Sequence, residues 1–234
     1  MRKTQFQIDG FYHLYDRGVD KREIFMNDNN FIRFLTSLKE FNNESSDNQR
    51  KVEKSRRMKI LNQKYETKFR MNTKLSFVGG DDMSFLKMPK FVDIICYSLN
   101  PNHYHLLVKQ LMEKGVEKFM HKLNLGYTKY FNKINDRSGA LLQGPFQSVA
   151  VETDEQLLYL SAYINGNIEI HGLSSAESWP WNSYQDYLGK RNGALCNKQP
   201  VISQFRDIAE YSRYTADVIK EASKRKQEIK CHLE

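Results

Sequence analysis

The sequence predicts an α+β domain, a ferredoxin-like antiparallel sheet with helices on one face, carrying a basic insertion and a C-terminal helix. Three observations lead there. Short β-branched and aromatic runs alternate with helix-patterned stretches in the order β-α-insert-β-β-α-β-α. Two of the strand-like runs are joined by Asn100-Pro101-Asn102, turn formers that suit an antiparallel hairpin. The helical stretches carry apolar residues at three- and four-residue steps, one stripe each to lay on a sheet.

Each element has its own signal. "FYHLYDRGV" (11 to 19) is aromatic and aliphatic and breaks at Gly18, as a strand running into a turn does. From Asp28, an N-cap type, Phe31, Phe34, Leu35 and Leu38 fall at helical spacing to about residue 42. Residues 44 to 75 hold ten Lys/Arg against four Asp/Glu with no sustained stripe, so an inserted basic segment is expected over about 44 to 90. A solvated charged arm and a DNA-contacting arm fit it equally. "FVDIICYSL" (91 to 99) and "HYHLLVK" (103 to 109) make the hairpin. Val116, Phe119, Met120, Leu123, Tyr127 and Tyr130 give a helix from 113 to about 132, and "FQSVAVE" (146 to 152) a further strand. Thr153 and Gln156 form a capping box that opens a helix to about 168. An aromatic loop, "WPWNSYQDYLG", follows, and a last basic helix spans 203 to 229. The expected division is a domain over 1 to 189 and a basic helical extension over 190 to 234.

Composition narrows the class. At 234 residues and 40% hydrophobic, the chain can build one core with appendages. Its 36 Lys+Arg against 28 Asp+Glu leave +8, which favours a polyanionic partner, nucleic acid first. There is no run of about 18 apolar residues and no apolar signal-peptide core near the N-terminus, so no membrane partner and a cytoplasmic location are expected. Cys96, Cys196 and Cys231 are too scattered for a disulfide framework or a Cys-x-x-Cys zinc site.

The chemistry concentrates in "NPNHYHLLV". Alternate strand residues share a face, so His103 and His105 point one way and Tyr104 the other. Such a pair suits a divalent ion, and it equally suits two partly buried histidines bonded to backbone. In "LSAYINGNIEIHGL", Tyr163 and Asn167 stand one helical turn apart. A cation held by two imidazoles and an amide oxygen keeps positions open for phosphate oxygens, and a phenol one turn away is placed to attack phosphorus. Tyr163 as a core residue is the plainer reading of that pair.

Taken together and in this order, "YHLYDRGVDKREIF", "YSLNPNHYHLLV", "YTKYFNKINDRSGALLQGPFQS" and "LLYLSAYINGNIEIHGL…WPWNSYQDYLG" resemble the single-tyrosine HUH transposases, in particular the REP-associated tyrosine transposase and IS200-like branch. The likeness spans residues 10 to 43 and 91 to 189. It implies a ferredoxin-like enzyme that cuts and rejoins single-stranded DNA through a 5′-phosphotyrosine. Tyr163 matches the nucleophile, and His103, His105 and Asn167 match the ligands of Mg²⁺ or Mn²⁺. Single-stranded DNA with hairpin or palindromic ends is the implied partner. One tyrosine per chain means that cutting both ends of an element takes a homodimer or two rounds.

Two departures stand out. Relatives commonly read Gly-Arg-Phe-Lys-Ser where this chain has Gly144-Pro145-Phe146-Gln147-Ser148, and Asn-Pro where it has Asn167-Ile168. The first removes two cations that touch a DNA backbone, while neither removes a catalytic group. Arg17, Lys129, Lys133 and Arg137 are candidate phosphate contacts, each weighed against a solvated surface cation. Tyr159, one turn before Tyr163, is the second choice of nucleophile. The rival from another class is a non-catalytic module of the same fold that binds single strands by stacking and charge.

Overall fold

The computed structural model describes residues 5–44 and 89–231, with side chains as far as Glu228. Apart from Glu44, the basic stretch expected over 44 to 75 lies outside the described residues. Strands β1 (Phe11–Arg17), β2 (Val92–Asn100), β3 (His103–Gln110) and β4 (Gln147–Val151) form one antiparallel sheet in the order β2-β3-β1-β4. The helices are α1 (Asp28–Glu40), α2 (Gly115–Ile134), α3 (Asp154–Asn165), α4 (Asn167–Ile170), α5 (Tyr184–Tyr187), α6 (Gln199–Ile202) and α7 (Ile208–Cys231). The α+β class and antiparallel sheet agree with the sequence.

Strand alternation sorts the residues between two faces. Tyr12, Leu14, Tyr104, Leu106 and Val108 meet Phe34 and Leu38 of α1 and Phe119 and Leu123 of α2 in one core. Burying each of the Phe and Leu side chains is worth about 2 kcal/mol. On the opposite face Ile95, Cys96 and Leu107 pack with Leu157 and Ile164 of α3, Ile168 of α4, and Tyr211 and Ile219 of α7. Helices therefore cover both faces, and the expectation of one covered face is corrected. The second core needs a lid because β3 turns Leu107 outward from the first, and α3 alone is roofed in turn by α7.

Several boundaries move by a residue or more. The cap of α1 is Asn27, whose side chain accepts from Asn30 N at 3.2 Å, one residue earlier than expected. The helix expected to run to about 168 breaks at Gly166, and Asn167 opens α4. Thr153 caps α3 by accepting from Gln156 N at 3.2 Å, while the Gln156 amide reaches Glu152 N rather than the cap itself. Residues beyond 189 are part of the second core, through Val201, Tyr211, Ile219 and Ala222.

Two further contacts fix the ends of β2. Trp181 stacks on Phe31 at 4.8 Å, and the Trp179 indole N–H donates to Leu99 O at 2.9 Å, so the aromatic loop is tied to the sheet beside the histidine hairpin. At the other end, Asn42 donates to Val92 O at 2.7 Å and accepts from Phe91 N and Val92 N at 3.1 and 3.0 Å. Asn43 and Lys90 bridge beside it.

Candidate active site

The register of β1, β2 and β3 assembles a polar floor on the second face. His103 lies between Arg17 and Asn100, and His105 between Tyr15 and Ser98, as direct cross-strand partners. Such partners share a face. Helices α3 and α4 roof this floor and bring Tyr163 and Asn167 over it. The His105 and Tyr163 rings meet edge to face, with centroids 6.3 Å apart. A cleft of about 360 Å³ opens here, lined by Tyr15, Arg17, His103, His105, Gln147 and Tyr163 among others.

Hydrogen bonds fix how His103 is presented. The Asn102 amide N–H donates to Lys21 O at 3.1 Å, which turns its oxygen toward His103 Nδ1 at 2.6 Å. An amide oxygen only accepts, so Nδ1 carries the proton and Nε2 keeps its lone pair. Burial first, then the neighbouring His171, hold the His103 pKa down to about 4, so the ring is neutral at pH 7. Nε2 stands 3.3 Å from Asn167 Oδ1, and the Asn100 amide nitrogen reaches both, at 2.8 and 2.5 Å. The two acceptors thus aim at one point. Cis ligands of an octahedral ion with bonds of ~2.1 Å lie ~3.0 Å apart, so a divalent cation fits this pair in place of the Asn100 N–H groups.

His105 stands perpendicular to His103 at 5.1 Å, and its Nδ1 is 2.9 Å from His13 Nε2. Both rings are buried, which pushes His13 down to about 4 and His105 well below its ordinary value. With His13 accepting, His105 Nε2 is bare and able to ligate. Among the described residues no group of three or more His, Cys, Asp or Glu is arranged to hold a metal; the potential donors gathered here are two imidazoles and an amide. Asn167 Nδ2 is buried without a partner. Its amide lies near enough to the Tyr163 phenol to draw that pKa down, against burial and Tyr159, which together raise it.

The structure therefore brings Tyr163, His103, His105, Asn167 and Arg17 together. It does not bring Lys129, Lys133 or Arg137 to the cleft. The two lysines are exposed on α2, the helix beneath the other face, and Arg137 staples its own loop through Asn132 Oδ1 and Ala140 O. Tyr159 stacks on Tyr163 at 6.2 Å. Four residues of the neighbourhood went unread in the sequence. His13 was visible as the i−2 neighbour of Tyr15 on strand one. Asn100 carries only a turn-former signal in the sequence. His171 and Lys226 carry no local signal, since α7 folds back over the site from far along the chain.

A single antiparallel sheet thus carries an imidazole pair on its central hairpin, with a phenol facing it from the roofing helix. The family model described as "Transposase IS200 like" matches residues 55–167, just under half the chain, a stretch that contains both imidazoles, the phenol and the amide. Over that stretch the chain is similar to the IS200-like transposases. No curated protein matches it. A solved structure described as "Structure of the REP associates tyrosine transposase bound to a REP hairpin" is similar over 81% of this chain and 86% of that one, at 10% identity and a TM-score of 0.47. Likeness at that level bears on no residue and no ligand of this chain. Among the described residues no helix is long and apolar enough to cross a membrane.

Proposed function

We propose that this chain cuts and rejoins single-stranded DNA, with Tyr163 as nucleophile and with hairpin or palindromic ends as its substrate. The observation that carries the reading is the convergence of His103 Nε2 and Asn167 Oδ1 on one point, 3.3 Å apart, in the cleft that also holds the Tyr163 phenol. His103, His105 and Asn167 would hold Mg²⁺ or Mn²⁺, which supplies charge neutralisation at a non-bridging oxygen of the scissile phosphate. Imidazole and amide-oxygen donors suit manganese well and magnesium adequately.

The protein's own part is positional and electrostatic. Tyr163 Oη forms a bond to phosphorus as the bond from phosphorus to the 3′-oxygen breaks. The 3′-oxygen leaves as a hydroxyl, taking up a proton, and the 5′-phosphate stays on the phenol. Reversal by that hydroxyl, or by one from another strand, rejoins DNA without ATP because the ester bond is conserved. Burial raises the phenol above 10.0, so the neutral form must lose its proton during attack. Asn167, with Oδ1 turned toward His103 and its amide close to the phenol, holds the nucleophile beside the phosphate.

The test is a manganese-dependent reaction on a single-stranded hairpin oligonucleotide, resolved on a denaturing gel. Wild type should give a protein-linked DNA band. Tyr163→Phe should lose it entirely while binding within about threefold of wild type, since only one hydroxyl is removed. A band that persists moves the nucleophile elsewhere, to Tyr159 first. Binding by wild type with no adduct under any divalent ion would leave the non-catalytic single-strand-binding module as the function.

A further inference from the structure

We propose that Arg17, His171 and Lys226 form a subsite for a backbone phosphate next to the one attacked, and that the last helix completes the site. This rests on the strand-cleavage reading above. Arg17 ends β1 directly opposite His103 and lines the cleft, and its guanidinium Nε is buried without a partner. His171 follows α4 and sets its ring 4.8 Å from that of His103, at 53°. Lys226, on α7, places Nζ 2.7 Å from His171 Nδ1.

The chemistry of the three is one-sided. An ammonium group only donates, so His171 Nδ1 is the acceptor and the neutral ring carries its proton on Nε2. What the cluster presents is then a guanidinium, an imidazole N–H and the remaining N–H groups of an ammonium, all donors. Among the described residues no carboxylate is paired with them. The acids of α7 on either side, Glu221 and Glu228, lie against Arg225 and Lys224. Asp16 also borders the cleft, but its oxygens accept from Arg17 N at 2.8 Å and Asn124 Nδ2 at 3.1 Å. Glu169 is engaged with Ala176 N. Donors gathered at the mouth of a cleft with no acceptor among them are matched by an oxyanion that accepts from several at once. The cleft runs from these donors to the Tyr163 phenol, so the fitting oxyanion is a phosphodiester of the same strand. A free phosphate ion shares that chemistry, and the experiment separates the two.

Binding is measured in EDTA, where no cutting takes place, with a single-stranded hairpin oligonucleotide bearing one neutral methylphosphonate moved stepwise along the strand. Wild type should lose about tenfold in affinity at one position, the worth of a charge-assisted contact. Lys226→Ala, an exposed residue whose loss leaves the core intact, should weaken the unmodified strand about tenfold and become indifferent to the methylphosphonate there. Its slope of log K against log salt should fall by about 0.7. Arg17→Ala should do the same at the same position, while His171→Ala, which removes a neutral donor, should lose the sensitivity there with an unchanged salt slope. Wild-type slope and undiminished sensitivity in Lys226→Ala overturn the proposal, as does a wild type that shows no sensitive position or does not bind. Calorimetric binding of inorganic phosphate that disappears in Lys226→Ala, with an unchanged salt slope for DNA, assigns the cluster to a free anion and overturns the backbone reading. The failure of strand cleavage alone, with these binding results intact, counts against the nuclease and leaves the subsite standing.

Discussion

His13 has one hydrogen-bond partner that matters, His105 Nδ1 at 2.9 Å, deep in the second face. A neutral imidazole ligates a metal through whichever nitrogen lacks the proton, so the acceptor on Nδ1 decides whether Nε2 is a ligand. His13→Phe keeps a ring in the space and removes the acceptor. It should weaken Mn²⁺ binding about 10- to 100-fold in a calorimetric titration of the free protein, the usual cost of losing such an outer partner. His13→Gln, whose amide oxygen accepts, should recover most of that. Equal affinities for the two variants would show that His13 only fills volume. On the same scale Asn167 turns its amide toward both His103 and the Tyr163 phenol, so a residue expected from its spacing as a ligand also lies against that hydroxyl.

Among the elements, α7 packs against the C-terminal end of α3 at Gly166. A methyl group there would come within 2.3 Å of Ile219 Cγ1 and 2.8 Å of its Cδ1. Gly166→Ala should therefore wedge α7 from α3 and cost about 1–3 kcal/mol, the range for overpacking a filled core. Pairing it with Ile219→Ala should restore part of the loss, which urea unfolding of the four variants measures as a coupling. If Gly166→Ala unfolds like wild type, the crossing is looser than drawn. The same crossing explains what could be read in advance and what could not. Strand period and hairpin turn revealed β2 and β3, and the i, i+2 rule alone put His103 and His105 on one face. The apolar stripes of α1 and α2 declared which side they bury, because each meets one layer only. Helix α3 lies between the sheet and α7: Leu157 and Ile164 fall on one stripe, as their spacing suggests, while Ala162 is buried on another side, and the face turned to α7 has no stripe of its own. Cross-strand register, which joins Arg17 to His103, and long-range packing, which brings Lys226 to His171, leave no trace in a local window.

For the molecule as a whole, the buried imidazoles set a direction with pH. His13 and His103 are held near 4 in the fold against 6.5 free, and His105 well below 6.5. Between these values the unfolded chain binds more protons than the fold, so stability is full above about 6.5 and is lost as pH falls toward 4. Each of the buried His13 and His103 contributes a slope of up to about 1.4 kcal/mol per pH unit. Asp16, raised to about 6 by burial, works in the opposite sense over part of that window, as a single group against several. Urea midpoints should accordingly decline from pH 7 to about 4.5, and a midpoint that holds or rises would place these rings in water. A final property follows from Asn42. By grasping Phe91 and Val92 it makes the points where the chain leaves the domain after α1 and re-enters at β2 immediate neighbours. Loop closure there is already accomplished by the fold, and its cost changes only slowly with the length of what hangs between. A version with a short Gly/Ser tether in place of residues 47–87 should therefore melt within a few degrees of the full chain if that clasp carries the closure, and its DNA affinity beside the full chain's measures what those residues add to binding.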